Sequence, residues 1–228
     1  MELKQLFKAS AIATALVLAG CGGDINISEG DIDNSVTNNN GGSTGGDTGG
    51  DTGSDDTAPG EVSSFLSGEV SDAFGQSVEV RVLSGRLTAD DADAQGVITL
   101  TNDTVWALEG PVFIGNDKAD SVTLAIEEGT IIFGRTGADY LVVSRDSQIE
   151  AEGTASSPII MTSFNDVVGD EVGAGQWGGV VILGNGTSTK CPQDGSDCAL
   201  QVEGAEEGAV FGGTDDTDSS GILKYVVV

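Results

Sequence analysis

The run TLAIEEGTIIFG at residues 123–134, continued by YLVVSRDSQIEAEGTASSPIIMTS at 140–163, decides the fold of this chain. Each apolar segment is short, rich in β-branched residues and closed by Gly, Asp or Ser, which predicts strands separated by tight turns. The same pattern continues in GGVVILG at 178–184 and KYVVV at 224–228, and no long helical period interrupts it. The segments also repeat. A shift of 17 residues lays Leu124 on Leu141, Ile126 on Val143, Ile132 on Ile149 and Gly134 on Ala151. A shift of 18 lays Trp106 on Leu124, Leu108 on Ile126, Ile114 on Ile132, Leu141 on Ile159 and Val143 on Met161.

Such a period predicts one rung of a β-solenoid, in which each short strand stacks on its counterpart in the next rung and inward positions form apolar ladders. An antiparallel β-sandwich is the alternative, because it too has short strands and Gly-rich turns. It has no reason to repeat its inward positions at one spacing. The fold class read here is therefore all-β, a parallel β-helix.

Residues 105–228 carry the rungs, and 61–104 are expected to form a β-rich N-terminal cap. In the cap EVSSFLSGEV and SVEVRVLSG both look like strands. The last segment, KYVVV, looks like the opening of a further rung, so the solenoid is expected to be incomplete at its C-terminal end. Ahead of the cap, residues 21–60 are Gly-, Asp-, Asn- and Thr-rich, with the near-repeat GGDTGGDTGSDD at 45–56. Too little apolar surface is available there to offset ordering entropy, so the segment reads as a disordered tether. About 40 such residues span roughly 35 Å on average. Asp24, Asn26 and Ser28 hint at calcium, but Glu29 stands where an EF-hand loop needs glycine.

Residues 1–20 form an export leader: Lys4 and Lys8, an apolar run, then Ala19, Gly20 and Cys21. The run is shorter than the roughly 20 residues a membrane span needs. The leader ends in LVLAGC, which resembles the lipobox of bacterial lipoproteins and implies cleavage before Cys21 and diacylation of its thiol. Two acyl chains hold a protein stably on a bilayer. Gly22 and Gly23 follow without an acidic residue, which in that family resembles cargo for the outer membrane.

Composition excludes several functions. There are 37 acidic and 9 basic residues, a formal charge of −28, which becomes −29 when Glu2, Lys4 and Lys8 leave with the leader. A polyanion is repelled by nucleic acid, so no nucleic-acid partner is expected. Histidine is absent, which removes His-based dyads and His-ligated zinc. Cys191 and Cys198 bracket PQDGSD, a turn-forming hexapeptide, and in an exported chain they read as a disulfide rather than a metal site. Chain-entropy arithmetic gives so small a loop about 2.5 kcal/mol.

The runs at 123–134 and 140–163, with GQWGGVVILGN at 175–185, resemble a family of right-handed parallel β-helix lipoproteins of Gram-negative bacteria, with a pectin-lyase-like solenoid. The W-G-G turn at Trp177, Gly178 and Gly179 is the most specific mark of the resemblance. It implies a lipid-anchored, surface-displayed domain. The function read for that domain is a non-catalytic module for adhesion, glycan binding or structural contact with surface proteins; the alternatives are a polysaccharide lyase or hydrolase of the β-helix type and, from the acidic clusters, a calcium-dependent surface assembly protein. Catalysis by a β-helix uses carboxylates, or basic residues with calcium, on one outer face, and the candidates are Asp139, Arg145, Asp146 and Glu150. The repeat puts Asp139 and Asp146 at corners, and Arg145 and Glu150 at outward positions. Trp106 falls in an inward ladder and Trp177 at a corner, which favours packing over sugar stacking. No cofactor is expected; calcium is the one alternative, with Asp215, Asp216 and Asp218, or Asp90, Asp91 and Asp93, as weak candidate ligands. Both clusters also read as ordinary solvated turns.

Overall fold

A computed structural model describes residues 58–192, 194 and 196–228. The leader, Cys21 and nearly all of the tether lie outside the described residues. Sixteen short elements succeed one another along the chain: β1 (Glu61–Val62), α1 (Ser64–Phe74), β2 (Val80–Leu87), β3 (Val97–Leu100), β4 (Val105–Ile114), β5 (Thr123–Ile126), β6 (Ile131–Gly134), β7 (Tyr140–Val143), β8 (Gln148–Glu152), β9 (Ile159–Ser163), α2 (Phe164–Val168), β10 (Gly179–Ile182), β11 (Leu200–Gln201), β12 (Val210–Phe211), β13 (Gly221–Lys224) and β14 (Val226–Val227).

Nearly all pairing is parallel and runs between successive rungs, as a β-helix requires. Three faces wind around one interior. The first stacks the front half of β2 on the front half of β4, then β6, β9 and β14. The second stacks the rear halves of β2 and β4, then β7 and β10. The third stacks β3, β5, β8 and β13. Three compact rungs are followed by a fourth that carries two insertions, residues 164–178 and 183–220.

The rung is longer than the repeat suggests. Ile98 pairs with Leu124 and Leu124 with Ile149, offsets of 26 and 25 residues. Trp106 pairs with Ile132 and Ile132 with Met161, offsets of 26 and 29. The 17- to 18-residue shift is two thirds of this turn. It carries each strand two faces onward, laying Leu124 of the third face on Leu141 of the second. Inward positions coincide under that shift because all three faces alternate in the same way.

The interior is a set of ladders. Trp106, Ile132 and Met161 form one, Ile98, Leu124 and Ile149 another, and Val112 with Leu141 a third, all buried in one cluster. Arg81 heads the first column from the rung before it, paired with Glu79 at 2.9 Å, so a cation closes the N-terminal end of the apolar stack.

Two outer faces are also apolar, and both are covered. Val80, Val105, Ile131 and Ile160 point outward from the first face, where α1 supplies Leu66 and Val70, and α2 supplies Val167. From the second face Phe113 and Val142 point outward beneath Leu183, Ala209 and Phe211 of the second insertion. The third face stays open, presenting Thr99, Ala125 and Glu150 in register.

Two expectations about the N-terminal region are corrected. The parallel stack begins at Val80 rather than at 105, because β2 and β3 already make a full rung. The run SFLSGEVSDAF is helix α1, not strand. Ser63 caps it by accepting the Leu66 N–H, Gly75 ends it in the left-handed conformation, and the Leu66 and Val70 side chains, four residues apart, meet the first face together. The period there is helical, but only two residues reveal it.

Inward and outward positions on one strand therefore differ sharply in energetic weight. Leu124→Ala, fully buried between Ile98 and Ile149, is expected to cost about 3 kcal/mol in urea denaturation. Glu150→Ala on the neighbouring strand is expected to stay within about 0.5 kcal/mol. Equal losses would contradict the ladder assignment.

Candidate functional site

The four charged candidates do not converge. Asp139 sits at the corner between the first and second faces and is buried. Its Oδ1 accepts the Gly110 N–H of the rung below at 2.8 Å, and its Oδ2 accepts the Arg135 and Thr136 N–H groups at 2.8 and 2.7 Å. Asp146 occupies the opposite corner at φ 64° and accepts the Asn185 side-chain amide at 3.0 Å. Glu150 lies outward on the third face, as expected.

Arg145 is not outward, which corrects the expectation from the repeat. Only 2 % of its surface is exposed. Its Nε and Nη2 meet both Asp117 oxygens at 2.6 and 2.7 Å, and Nη1 donates to the Cys198 carbonyl at 2.5 Å and to the Gly212 carbonyl. The second insertion folds back over this corner and buries it. The burial is tolerable because a charge paired with a carboxylate and hydrogen-bonded to two carbonyls avoids the cost of an isolated one. The Arg145 hydrogen bond holds the Asp117 carboxyl below its ordinary range, and Asp117 in turn raises Arg145.

The same insertion carries the disulfide between Cys191 and Cys198, whose Cα atoms are 5.6 Å apart. Position 212 must be glycine: its φ is 91°, and a Cβ there would lie 2.9 Å from the Cys191 sulfur. Lys118 pairs with Asp197 of the loop at 2.7 Å. Thus the bridge closes the insertion on itself, while Arg145 and Lys118 fasten it to the third and second rungs.

The acidic clusters act as turn caps. Asp218 accepts the Asn185 N–H, Asp216 accepts the Thr187 N–H and hydroxyl, and Asp215 accepts the Thr217 N–H and hydroxyl. These hydroxyl contacts lower the Asp215 and Asp216 carboxyls. Asp91 accepts the Thr88 N–H and Asp93 accepts those of Gln95 and Val97, while Asp90 sits in the adjoining 3-10 turn. Among the described residues, no three Cys, Asp or Glu side chains converge as a metal ion needs. Trp106 is fully buried and donates its indole N–H to the Thr101 carbonyl; Trp177 packs against the interior cluster. Gly178 lies so close to Tyr140 that a Cβ would sit 2.8 Å from the Tyr140 Cβ, which accounts for the W-G-G turn.

One concave surface runs along the corner that Asp139 closes, and apart from Asp139 its residues were not singled out by sequence reading. Two adjoining cavities of about 400 and 360 Å³ share Leu108, Glu109 and Arg135. The first reaches the start of α1, with Ser63, Phe65 and Ser84; the second reaches Thr136 and Phe164. Ser84 pairs with Glu109, and Arg135 comes directly after the Gly134 that pairs with Leu108, so Ser84, Glu109 and Arg135 climb one corner at the rung spacing of about 4.8 Å. Phe65 is 63 % exposed. Among the described residues the Arg135 guanidinium has neither an ion pair nor a hydrogen bond. The signal was present as outward polar residues 25 to 26 positions apart, but it becomes visible only with the true rung length.

The parallel stack and its three faces agree with a known family pattern. The model of the pectate-lyase-like β-helix domain matches residues 92–228, more than half of the chain. The chain belongs to the pectate-lyase-like β-helix family. No curated protein and no solved structure matches it. In this member of the pectate-lyase-like family two of the three outer faces are closed by helices and an insertion, which leaves the third face and the corner groove to meet other molecules.

Two outcomes are expected of the Arg145 corner. Arg145→Met leaves Asp117 without its partner and two carbonyls without a donor, and should cost about 3 kcal/mol in chemical denaturation. A cost below about 1 kcal/mol would mean that the insertion is held without it. Because the Asp117 carboxyl is depressed in the folded state, its contribution is present above the ordinary carboxylate value of about 3.9 and is lost as pH falls below it. Melting temperature should therefore drop as pH falls below about 4, and Asp117→Asn should flatten that part of the profile.

Proposed function

We propose that this chain is a surface-anchored outer-membrane lipoprotein whose β-helix is a non-catalytic module for glycan binding and adhesion. The anchor rests on the leader and LVLAGC, with Cys21 as the lipidated residue. A single observation carries the non-catalytic part: the charged residues best suited to lyase or hydrolase chemistry hold the fold together instead. Asp139 closes a corner, Asp146 fixes Asn185, and Arg145 is buried beneath the disulfide insertion. Glu150 stands outward without any of the three beside it. A glycosidase needs two carboxyl groups flanking one bond at a set separation, and these four residues are committed to separate corners and faces.

A binding module fits the rest. The long acidic tether would carry the domain away from the lipid headgroups, and acidic surface keeps it soluble. Fold membership alone does not license the activity of other β-helices.

Intact mass spectrometry of the membrane-extracted protein, paired with incubation on neutral and acidic polysaccharides, tests both halves. Diacylation at Cys21 with retention on a glycan and no release of reducing or unsaturated ends is the expected result. An unmodified Cys21 would remove the anchor. Turnover would move the protein to the enzyme reading, and a rise of several degrees in melting temperature with millimolar calcium chloride would favour calcium-dependent assembly.

A further inference from the structure

The corner groove between α1 and the first rungs combines features that no structural role explains. Phe65 projects from the first turn of a helix whose Leu66 and Val70 already meet the solenoid, so its ring is not needed for packing. Glu109 and Arg135 stand on successive rungs with opposite charges and yet form no ion pair with each other. In a chain with so few cations, an arginine left without a partner beside a cavity is conspicuous. Of the other described cations, Arg81, Lys118, Arg145 and Lys224 have carboxylate partners, Arg86 lies 4.2 Å over the Phe113 ring, and Lys190 is exposed on the second insertion.

The chemistry of these side chains narrows the ligand. A guanidinium only donates hydrogen bonds and an ionised carboxylate only accepts them. A ligand that meets both at neighbouring points needs groups that do each, and hydroxyl groups on adjacent carbons do so. Ser63 and Ser84 add hydroxyls that donate or accept. The exposed Phe65 ring, with Phe164 at the far end, offers flat apolar faces for the C–H side of a sugar ring. Charge decides between neutral and acidic chains. Glu61 and Glu109 outnumber Arg135 along the groove, and the molecule as a whole is strongly negative, so a polyanion is repelled at long range. One cation beside two carboxylates also leaves no net positive charge to attract one.

We propose that the groove formed by Phe65, Ser84, Glu109 and Arg135 is a binding site for a neutral polysaccharide chain lying along the solenoid axis. This rests on the glycan-binding reading above and places it at one corner. Arg135 donates to, and Glu109 accepts from, vicinal hydroxyls of one sugar unit, while Phe65 stacks on the next.

The test uses the full-length protein on an array of neutral hexaoses, gluco-, manno-, xylo- and galacto-configured, beside hexaoses of uronic acids and an arrayed peptide set. Retention on at least one neutral hexaose is expected. Arg135→Met, Glu109→Gln and Phe65→Ala should each weaken it by about tenfold or more, with unchanged melting temperature because all three side chains are exposed. Glu150→Gln on the open third face serves as the control and should leave retention intact. Glycan binding that survives the three groove variants, or falls with Glu150→Gln, would overturn the groove while leaving a glycan-binding module in place. Preference for uronic acid chains or for peptides would overturn the neutral-ligand assignment. Retention on no glycan at all would remove the broader reading and this one together.

Discussion

A solenoid has a one-dimensional interior, so every inward side chain must find its neighbours above and below rather than across a globular core. Alternate residues on all three faces are accordingly mostly Leu, Ile, Val, Trp or Met, each contributing about 1.5 to 3 kcal/mol by leaving water. The columns must also end. At the N-terminal end the Arg81–Glu79 pair and the β1 strand close the first rung, since an open parallel edge invites further pairing. The two remaining apolar surfaces lie outside the barrel of strands. They explain why α1, α2 and the second insertion exist: each covers outward residues that would otherwise face water.

The inward pattern was legible in the sequence and the rung length was not. Alternation of Ile, Leu and Val with polar residues shows strand and sidedness at once. It does not show which face a strand belongs to, because the faces share one pattern, and a shift of two faces matches as well as a shift of three. Trp106 and the open position of Glu150 were read correctly on this basis. Arg145 was misplaced for a different reason: its environment is made by residues 198 and 212, more than 50 positions away, and no local rule reports a distant insertion folding over a corner.

The groove illustrates the same limit. Ser84, Glu109 and Arg135 are ordinary polar residues at turns, indistinguishable in sequence from the solvated Asp and Glu around them. Stacking turns them into a column, and the helix that covers the first face supplies the opposing wall. Phe65 was read as part of a strand, where its side chain would have packed against the sheet. In the helix it points along the groove because Leu66, the next residue, takes the inward position.

The second insertion also sets an order of assembly. Strands of the first three rungs meet partners 25 to 29 residues away, but Gly221 must reach Ile149 across 72 positions. Loop closure grows costlier with length, and long-range pairing slows folding. The compact rungs are therefore expected to form first and present a finished edge onto which β13 docks last. Growth from one end on a preformed surface is how a filament elongates, and this chain carries out the same process within a single molecule.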